Sequence, residues 1–288
     1  MHAPLLSTKT AQDLDRFSRR PPHALMLLAP NGAGKGSVAC YLAARLLGTG
    51  DEHLESQAGF RRVAAQPGKV ISIEEIREVT HFLLLKAASK ANVTRVVLIE
   101  HAGDMTVQAQ NALLKTIEEP PEGTVIILTA AHELDVLPTI RSRVQTLTLE
   151  LPDSEELSSY LVTAGYKAAA LSRALLMSGG LPGLTCALLN KEEDHPLVAA
   201  AARARSLLQK PAFERLLMID ELTKNKQEWL DTLFILQRMA QINLEKPGSG
   251  TASVRKWHGI LAAAQAAYQQ TLASAQIKLV ALNLIMRV

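Results

Sequence analysis

A glycine-rich segment near the start of the sequence has the residue types of a phosphate-binding loop. It reads Ala-Pro-Asn-Gly-Ala-Gly-Lys-Gly over residues 29–36, and it lies between a short apolar run and a segment with helical spacing. Glycines let backbone N–H groups converge on phosphate oxygens at the start of a helix, and a lysine adds positive charge. The alternative is a glycine turn that only packs a strand against a helix. The candidate nucleotide-binding residues are Asn31, Gly32, Ala33, Gly34, Lys35, Gly36, Ser37 and, from a later strand, Glu100.

The loop departs at both ends from the consensus G-x-x-x-x-G-K-[ST]. Ala29 stands in place of the first glycine, and Gly36 stands in place of the hydroxyl residue that binds Mg²⁺. Ser37 comes one position too late, about 100° around the helix. We therefore do not expect Ser37 to substitute for the missing hydroxyl.

The acidic pair that an ATPase of this class carries after its second strand is altered as well. Glu100 could still reach a metal ion, but His101 replaces the carboxylate that polarises the attacking water. Histidine is a poor base of this kind, because it is neutral or cationic near pH 7. The simpler alternative is two polar residues at the exit of a strand. Taken as independent losses, the missing hydroxyl and the missing base predict little or no ATP hydrolysis by this chain.

Short apolar runs predict the strands that would position these residues. A run buried on both faces is typical of a parallel sheet, and alternating polar and apolar residues are typical of an edge strand. Residues 48–69 show no clear period and predict a loop with a helical piece. The predicted strands are Ala24–Leu28, Arg95–Ile99, Thr124–Thr129 and, at an edge, Gln145–Glu150.

Helical patterns alternate with these strands. One helix is predicted after the glycine loop, over residues 37–47. Ser72 and Glu75 predict a capping box for a second helix that runs to about Ala88. A third is predicted over Thr106–Glu119, since the two prolines that follow cannot continue it. The alternation up to residue 150 predicts an α/β domain with helices on both faces of a parallel sheet.

Beyond residue 150 the sequence predicts only helices. Asp153 and Glu156 form another capping box, and short helices then break at residues 179–183. Longer helices rich in alanine and leucine follow, with breaks at residues 210–211 and 247–250. One continuous helical domain over residues 153–288 is the alternative. The predicted domains are 1–150, 151–195 and 196–288.

Composition narrows the possible classes of protein. The 288 residues carry a net charge of +3 and are 48% hydrophobic, which is ordinary for a globular chain. Cys40 and Cys186 are far apart, and no histidine pair has metal-ligand spacing. Residues 1–10 do not resemble a secretory signal, and no apolar run approaches the roughly 18 residues needed to span a bilayer. We expect a cytoplasmic protein with no membrane segment and no metal-binding cluster.

Several segments resemble clamp-loader subunits, which belong to the AAA+ superfamily. The most specific is Asn111–Pro121, which is similar to the helix after the second ATPase motif in those proteins. Ser142-Arg143-Val144 resembles their Ser-Arg-Cys motif, with valine in place of cysteine. Weaker matches occur at residues 22–25, 178–183 and 275–280. The resemblance covers nearly the whole chain and is strongest to the delta prime type of bacterial DNA polymerase III.

This resemblance implies a function and a set of partners. It implies three domains: an AAA+ α/β domain, a helical lid and a helical collar. Through the collar the chain would assemble with gamma/tau and delta subunits into a hetero-oligomer of five subunits. Such a complex opens the ring-shaped sliding clamp and places it on primed DNA. In that family Arg143 would be an arginine finger, which acts in the ATP site of the neighbouring subunit. A finger supplied in trans is worth roughly 10³–10⁵ in rate in comparable systems.

Two departures from the family favour a subunit that is not the motor. Residues 41–99 contain no cysteine, so the family's zinc module is not expected. The lid arginine of motor subunits aligns near Gly183, which has no side chain. The alternatives are an active gamma/tau-type ATPase and an AAA+ protein outside clamp loading, such as a helicase loader. The sequence leaves open whether ATP, ADP with Mg²⁺, or nothing occupies the glycine loop.

Overall fold

Five parallel strands form one sheet, with the spatial order β2-β3-β4-β1-β5. The central strand β1 pairs with β4 on one side and with β5 on the other. The carboxyl ends of the strands therefore lie along one edge of the sheet, where the glycine loop and Glu100 follow β1 and β3. The strands are β1 (Ala24–Leu28), β2 (Phe60–Val63), β3 (Arg95–Ile99), β4 (Thr124–Ala130) and β5 (Gln145–Thr148).

The computed structural model describes residues 6–66, 69–85, 92–192, 195–245 and 250–288. The chain divides into two compact units, Met1–Pro152 and Asp153–Val288. The described residues of the first unit form the sheet, five α-helices and three short 3-10 helices. Its α-helices are α1 (Thr8–Arg19), α2 (Lys35–Leu47), α3 (Ile73–Leu84), α4 (Val107–Glu118) and α5 (Pro138–Arg141), and its 3-10 helices are Asp51–Ser56, Ala102–Asp104 and Glu133–Asp135.

Alternate residues of the central strands enter two apolar layers, as the period of an extended strand requires. Leu25 and Leu27 of β1 pack in one layer with the buried faces of α1 and α2. Met26 and Leu28 pack in the other layer with α3, α4 and α5. All five residues of β1 are buried, which explains why its sequence is an unbroken apolar run. The sheet is thus a rigid platform beneath the glycine loop.

The second unit contains only helices among its described residues. Helices α12 and α13 pack along each other, and α9 packs against α12. Trp229 is completely buried, and its indole Nε1 donates a hydrogen bond to Oγ1 of Thr271 at 3.1 Å. No helix in the described parts of the chain is both long enough and apolar enough to cross a bilayer. The helices are α6 (Ser154–Thr163), α7 (Ala168–Ser178), α8 (Pro182–Asn190), α9 (Pro196–Gln209), α10 (Ala212–Leu217), α11 (Ile219–Leu222), α12 (Lys226–Glu245), α13 (Thr251–Leu272) and α14 (Ile277–Ile285).

The structure confirms the predicted alternation of strands and helices and corrects it in one place. Residues 48–69 were expected to form a loop with a helical piece, but they contain a strand, Phe60–Val63. This strand lies at the edge of the sheet and buries only its first and last side chains, so it needs no continuous apolar run. The helical piece is the 3-10 helix Asp51–Ser56.

The predicted helix ends are close to those in the structure. Both capping boxes are present, at Ser72 with Glu75 and at Asp153 with Glu156. The helix expected to reach Ala88 ends earlier, at Leu84. The rest of that predicted helix, residues 86–88, lies outside the described residues.

Candidate functional site: a glycine loop, its acidic neighbour and a surface arginine

The glycine loop has the backbone shape that its sequence predicts. Gly32 and Gly34 have positive φ values of 81° and 88°, which lie in the left-handed region that glycine adopts without steric cost. Gly34 is also the N-cap of α2, so the first N–H groups of that helix face the loop. The arrangement of strand, glycine loop and helix is that of a phosphate-binding loop.

Lys35 turns back onto its own loop. Its Nζ donates to the carbonyl oxygens of Ala29 at 2.7 Å and Pro30 at 3.1 Å, and to Oδ1 of Asn31 at 3.2 Å. The residue is only 4% exposed. An ammonium group has three donors, and all three have partners here. A phosphate group would therefore have to replace hydrogen bonds that already satisfy this lysine.

Burial also changes the charge behaviour of Lys35. Loss of solvent lowers the pKa of Lys35 from its usual 10.5 to about 8, because burial disfavours the charged form. The negative charges of Asp135 and Glu100 oppose part of this shift. Asp135 was missing from the sequence prediction. It accepts hydrogen bonds from the backbone N–H groups of Ala131 at 3.0 Å and His132 at 2.8 Å, just after β4.

Glu100 lies directly over the start of α2. If Gly36 carried a Cβ, that atom would lie 2.3 Å from Oε1 of Glu100, well inside van der Waals contact. The other carboxylate oxygen, Oε2, accepts a hydrogen bond from Nη2 of Arg62 at 2.9 Å. The Glu100 side chain is 12% exposed. The acid therefore fills the space that a side chain at position 36 would need, and its charge is paired within the chain.

The residues around the loop do not fit the Mg²⁺ site of a working P-loop ATPase. That site needs a hydroxyl at position 36, and in this chain the carboxylate of Glu100 lies where the side chain would begin. Ser37 is exposed, as expected for a residue about 100° farther around the helix. His101 is also exposed, and its backbone N–H donates to Oγ1 of Thr129 at 3.0 Å. Among the described residues, no group of three or more His, Cys, Asp or Glu side chains could hold a metal ion.

Arg143 lies on the surface, in a turn that follows α5. Its Nε is 2.7 Å from Oε1 of Glu118, at the end of α4. Its Nη1 donates to the carbonyl oxygen of Thr139 at 3.1 Å and to Oγ of Ser142 at 3.0 Å. The side chain is 40% exposed. The guanidinium is therefore held in a defined position and remains accessible from solvent.

The structure brings some of the predicted site residues together and leaves others apart. The loop, Lys35 and Glu100 form one cluster, to which Arg62 and Asp135 must be added. Within the described parts of the chain, no hydrogen bond or ion pair joins Arg143 to that cluster. A sequence signal for Arg62 existed, in two adjacent arginines between the apolar residues Phe60 and Val63, but it was hidden in the region interpreted as a loop.

Comparisons with known proteins identify the family. The family model described as "DNA polymerase III, delta subunit" matches residues 8–153, which include the sheet, the glycine loop and Arg143. The chain belongs to this family. The match covers the part of the chain in which the candidate site residues lie.

Individual relatives agree with this assignment. The chain is 34% identical over 177 residues to the DNA polymerase III subunit delta prime of Pseudomonas aeruginosa, covering 56% of this chain and 53% of that protein. It is 32% identical over 187 residues to the subunit of the same name in Escherichia coli K12, covering 59% of this chain and 55% of that protein. The chain thus spans about half the length of the curated relatives it matches.

A solved structure extends the likeness of fold to nearly the whole chain. A DNA polymerase III gamma subunit-related protein from Thermotoga maritima aligns with a TM-score of 0.50 over 96% of this chain and 97% of that one. The two sequences are 20% identical, so the likeness concerns the fold alone. The predicted AAA+ fold class, an α/β domain followed by helices, is confirmed.

Proposed function

We propose that the chain is a clamp-loader subunit of the delta prime type, which helps to place a sliding clamp on primed DNA without hydrolysing ATP itself. The observation that carries this proposal is an AAA+ framework in which Glu100 occupies the space that a side chain at position 36 would need, and in which Glu100 is paired with Arg62. Family membership supports the assignment to the replication machinery. In this role the protein assembles with gamma/tau and delta subunits in the cytoplasm, as one member of a pentamer.

Arg143 is the residue that we assign to catalysis in the complex. It lies in the segment that resembles the Ser-Arg-Cys motif, and 40% of its side chain is open to solvent. Glu118, Thr139 and Ser142 restrain the guanidinium, so little side-chain freedom is left to lose when a neighbouring subunit docks. A cation held in this way can stabilise the charge that develops on a transferred phosphoryl group.

The C-terminal helices offer a surface for assembly. Some of the apolar residues of this region are buried and others are exposed. Leu284 is 2% exposed and belongs to the core of the second unit. A set of large apolar side chains on α10 and α14, here called the C-terminal apolar surface, is exposed. It comprises Phe213, Leu217, Leu279, Leu282 and Met286, with exposures between 40% and 71%.

Exposed apolar groups of this kind mark contact surfaces in soluble proteins. Helix α10 packs against α14, so the members of the C-terminal apolar surface lie on neighbouring helices. This supports the proposal that the last domain, residues 196–288, acts as an oligomerising collar. Residues 151–195 would then form the lid.

The experiment that tests the finger is reconstitution of the complex with Arg143→Ala. We expect assembly to be unchanged and ATP hydrolysis at the site served by this subunit to fall by a factor of about 10³ or more. Arg143→Lys is the matched control for charge. Lysine keeps the charge but lacks the planar fork of donors, so it should restore only part of the rate. An unchanged rate in the assembled Arg143→Ala complex would refute the finger assignment.

Two measurements separate the other candidate functions. ATP turnover by the isolated chain that disappears in Lys35→Ala would indicate a gamma/tau-type motor instead. Failure to form any complex with clamp-loader subunits or a sliding clamp would indicate an AAA+ protein outside clamp loading.

A further inference from the structure

We propose that Arg62 takes the place of the divalent cation at this glycine loop, so that the chain neutralises its own site and excludes Mg²⁺. The inference deepens the proposed loss of ATP hydrolysis, but it rests on the geometry of the first unit and not on clamp loading. The group concerned is the pair formed by Arg62 on β2 and Glu100 after β3, together with Gly36 on α2.

The carboxylate of Glu100 lies where a side chain at position 36 would begin. In a working site the acid after this strand reaches Mg²⁺ through water, and the hydroxyl at the start of the helix binds the metal directly. Here Oε1 of Glu100 lies 2.3 Å from where a Cβ of residue 36 would be. A hydroxyl side chain at position 36 would therefore require the carboxylate to move from its present position. The glycine at position 36 and the placement of the acid belong to the same arrangement.

The backbone on both sides of the Arg62–Glu100 ion pair is held by the sheet. β2 and β3 pair in parallel, with Arg62 opposite Leu98 and Val63 opposite Ile99. The pairing continues past β3, because the backbone N–H of Glu100 donates to the carbonyl oxygen of Val63 at 2.8 Å. The backbones on both sides of the ion pair are thus fixed by the same ladder.

The guanidinium of Arg62 compensates the negative charge of Glu100. Arg62 donates to Oε2 of Glu100 at 2.9 Å, and its Nη1 lies 3.2 Å from Oε1 of Glu55. The guanidinium therefore has two acidic partners, one buried and one exposed. A divalent ion would have to displace it from a nearly buried carboxylate. In return the metal would gain the carboxylates of Glu100 and Glu55 but no hydroxyl ligand, since position 36 has no side chain and Ser37 faces solvent.

The residue beside Arg62 provides a matched control. Arg61 also lies on β2 and pairs with an acid, Glu78, at 3.1 Å. Both partners of that pair are largely exposed, with side-chain exposures of 49% and 66%. A general effect of losing an arginine from this edge strand should therefore appear equally in Arg61→Ala and in Arg62→Ala. Only an effect that depends on Glu100 should be confined to Arg62.

The test uses the full chain and Mn²⁺ alone as the probe, with binding followed by electron paramagnetic resonance and unfolding followed by heat. We expect the unmodified chain and Arg61→Ala to show no Mn²⁺ site that depends on Glu100. Arg62→Ala leaves the buried carboxylate unpaired, so it should unfold at a lower temperature. It should also gain a Mn²⁺ site, with an affinity at least tenfold above any that the unmodified chain shows. Arg62→Ala/Glu100→Gln should lose the gained site and recover part of the stability.

The possible outcomes separate clearly. A Mn²⁺ site in the unmodified chain that Glu100→Gln abolishes would overturn the proposal. The proposal would also be overturned if Arg62→Ala loses stability but does not bind Mn²⁺, because the ion pair of Arg62 with Glu100 would then only stabilise the fold. If Arg62→Ala does not fold, Arg62→Gln removes the charge while keeping a polar side chain, and the same predictions apply to it. All of these measurements use the isolated chain, so their failure is distinguishable from an unchanged ATPase rate in the Arg143→Ala complex.

Discussion

Restoring the hydroxyl at position 36 should destabilise this chain, even though it brings the loop closer to the consensus. In Gly36→Ser the new Cβ would lie 2.3 Å from Oε1 of Glu100 as that side chain now stands. The carboxylate must therefore move. Because its Oε2 is bound to Arg62 at 2.9 Å, the movement weakens an ion pair that is nearly buried on the acidic side.

Two opposing effects set the size of the change. Replacing a helical glycine gains about 0.5–1 kcal/mol, since the unfolded chain loses conformational freedom. Displacing a carboxylate from a charged hydrogen-bond partner costs about 1.5–3 kcal/mol. The expected net loss is roughly 1–2 kcal/mol in the free energy of unfolding. For a unit of about 150 residues, each kcal/mol corresponds to a fall in Tm of about 2–4 °C.

Denaturant unfolding of matched glycine variants measures this effect. Gly36→Ser and Gly36→Ala are compared with Gly259→Ala, because Gly259 is also helical but has no atom within 4 Å of an added Cβ. Gly259→Ala should be neutral or stabilising by about 0.5–1 kcal/mol. Glu100→Asp shortens the acid by one methylene group, so the double variant with Gly36→Ser should be more stable than the sum of the two single changes predicts.

A double-mutant cycle of Gly36→Ser with Glu100→Asp tests whether the side chain at position 36 and the carboxylate compete for the same space. Residues in contact usually show coupling energies of about 0.5–3 kcal/mol, and distant residues show almost none. If Gly36→Ser is as stable as the unmodified chain, or if its effect simply adds to that of Glu100→Asp, then the carboxylate does not occupy the space at position 36. The account of the altered site would then be wrong.

Three further predictions follow from single features of the structure. The pKa of Lys35 is lowered to about 8 in the folded state, so the folded chain loses this proton at a lower pH than the unfolded chain does. The unfolding free energy of the unmodified chain, relative to that of Lys35→Met, should therefore rise by roughly 3 kcal/mol at most between pH 8 and 10.5. If this difference does not change across that range, Lys35 is not desolvated. Leu217→Glu and Leu279→Lys should abolish assembly and leave the Tm of the isolated chain within about 2 °C of that of the unmodified chain, because both residues are at least 61% exposed. Size-exclusion chromatography measures assembly, and an intact complex would show that these residues do not form the interface. Glu118→Gln should change the free energy of unfolding by less than about 1 kcal/mol, since its ion pair with Arg143 is exposed. It should also lower the ATPase rate of the complex, but by a smaller factor than Arg143→Ala does. A loss of rate equal to that of Arg143→Ala would mean that Glu118 does more than orient the arginine.

Four of the five strands could be predicted from the sequence, and β2 could not. β1, β3 and β4 appear as apolar runs because every residue in them lies between two helical layers. β5 appears as an alternation because only Leu147 of its four residues is buried. β2 has two arginines in a row and a single neighbouring strand, so neither apolar run nor alternation marks it. The two buried residues of β2 are three positions apart, so the strand lacks the alternation on which the prediction of an edge strand depends.

Sequence spacing identifies the residues of the glycine loop but not the contacts that they make. The glycines, Lys35 and Glu100 could be found because a backbone that turns toward phosphate requires them in a fixed order along the chain. Arg62 and Asp135 come from other strands and meet the loop only after the sheet has formed. No spacing rule in one sequence connects residue 62 with residue 100. Their meeting depends on the parallel register of β2 with β3.

The register also changes how the altered motif should be understood. The sequence by itself treats the missing hydroxyl at position 36 and the missing base at position 101 as independent losses. The structure adds a third feature, the placement of Glu100, and this one is linked to the first by a distance of 2.3 Å. A chain that regained the hydroxyl without retracting the acid would face a steric conflict. A chain that retracted the acid would leave Arg62 without its buried partner. A hydroxyl at position 36 therefore requires Glu100 to move and weakens its pair with Arg62, so positions 36, 62 and 100 are coupled.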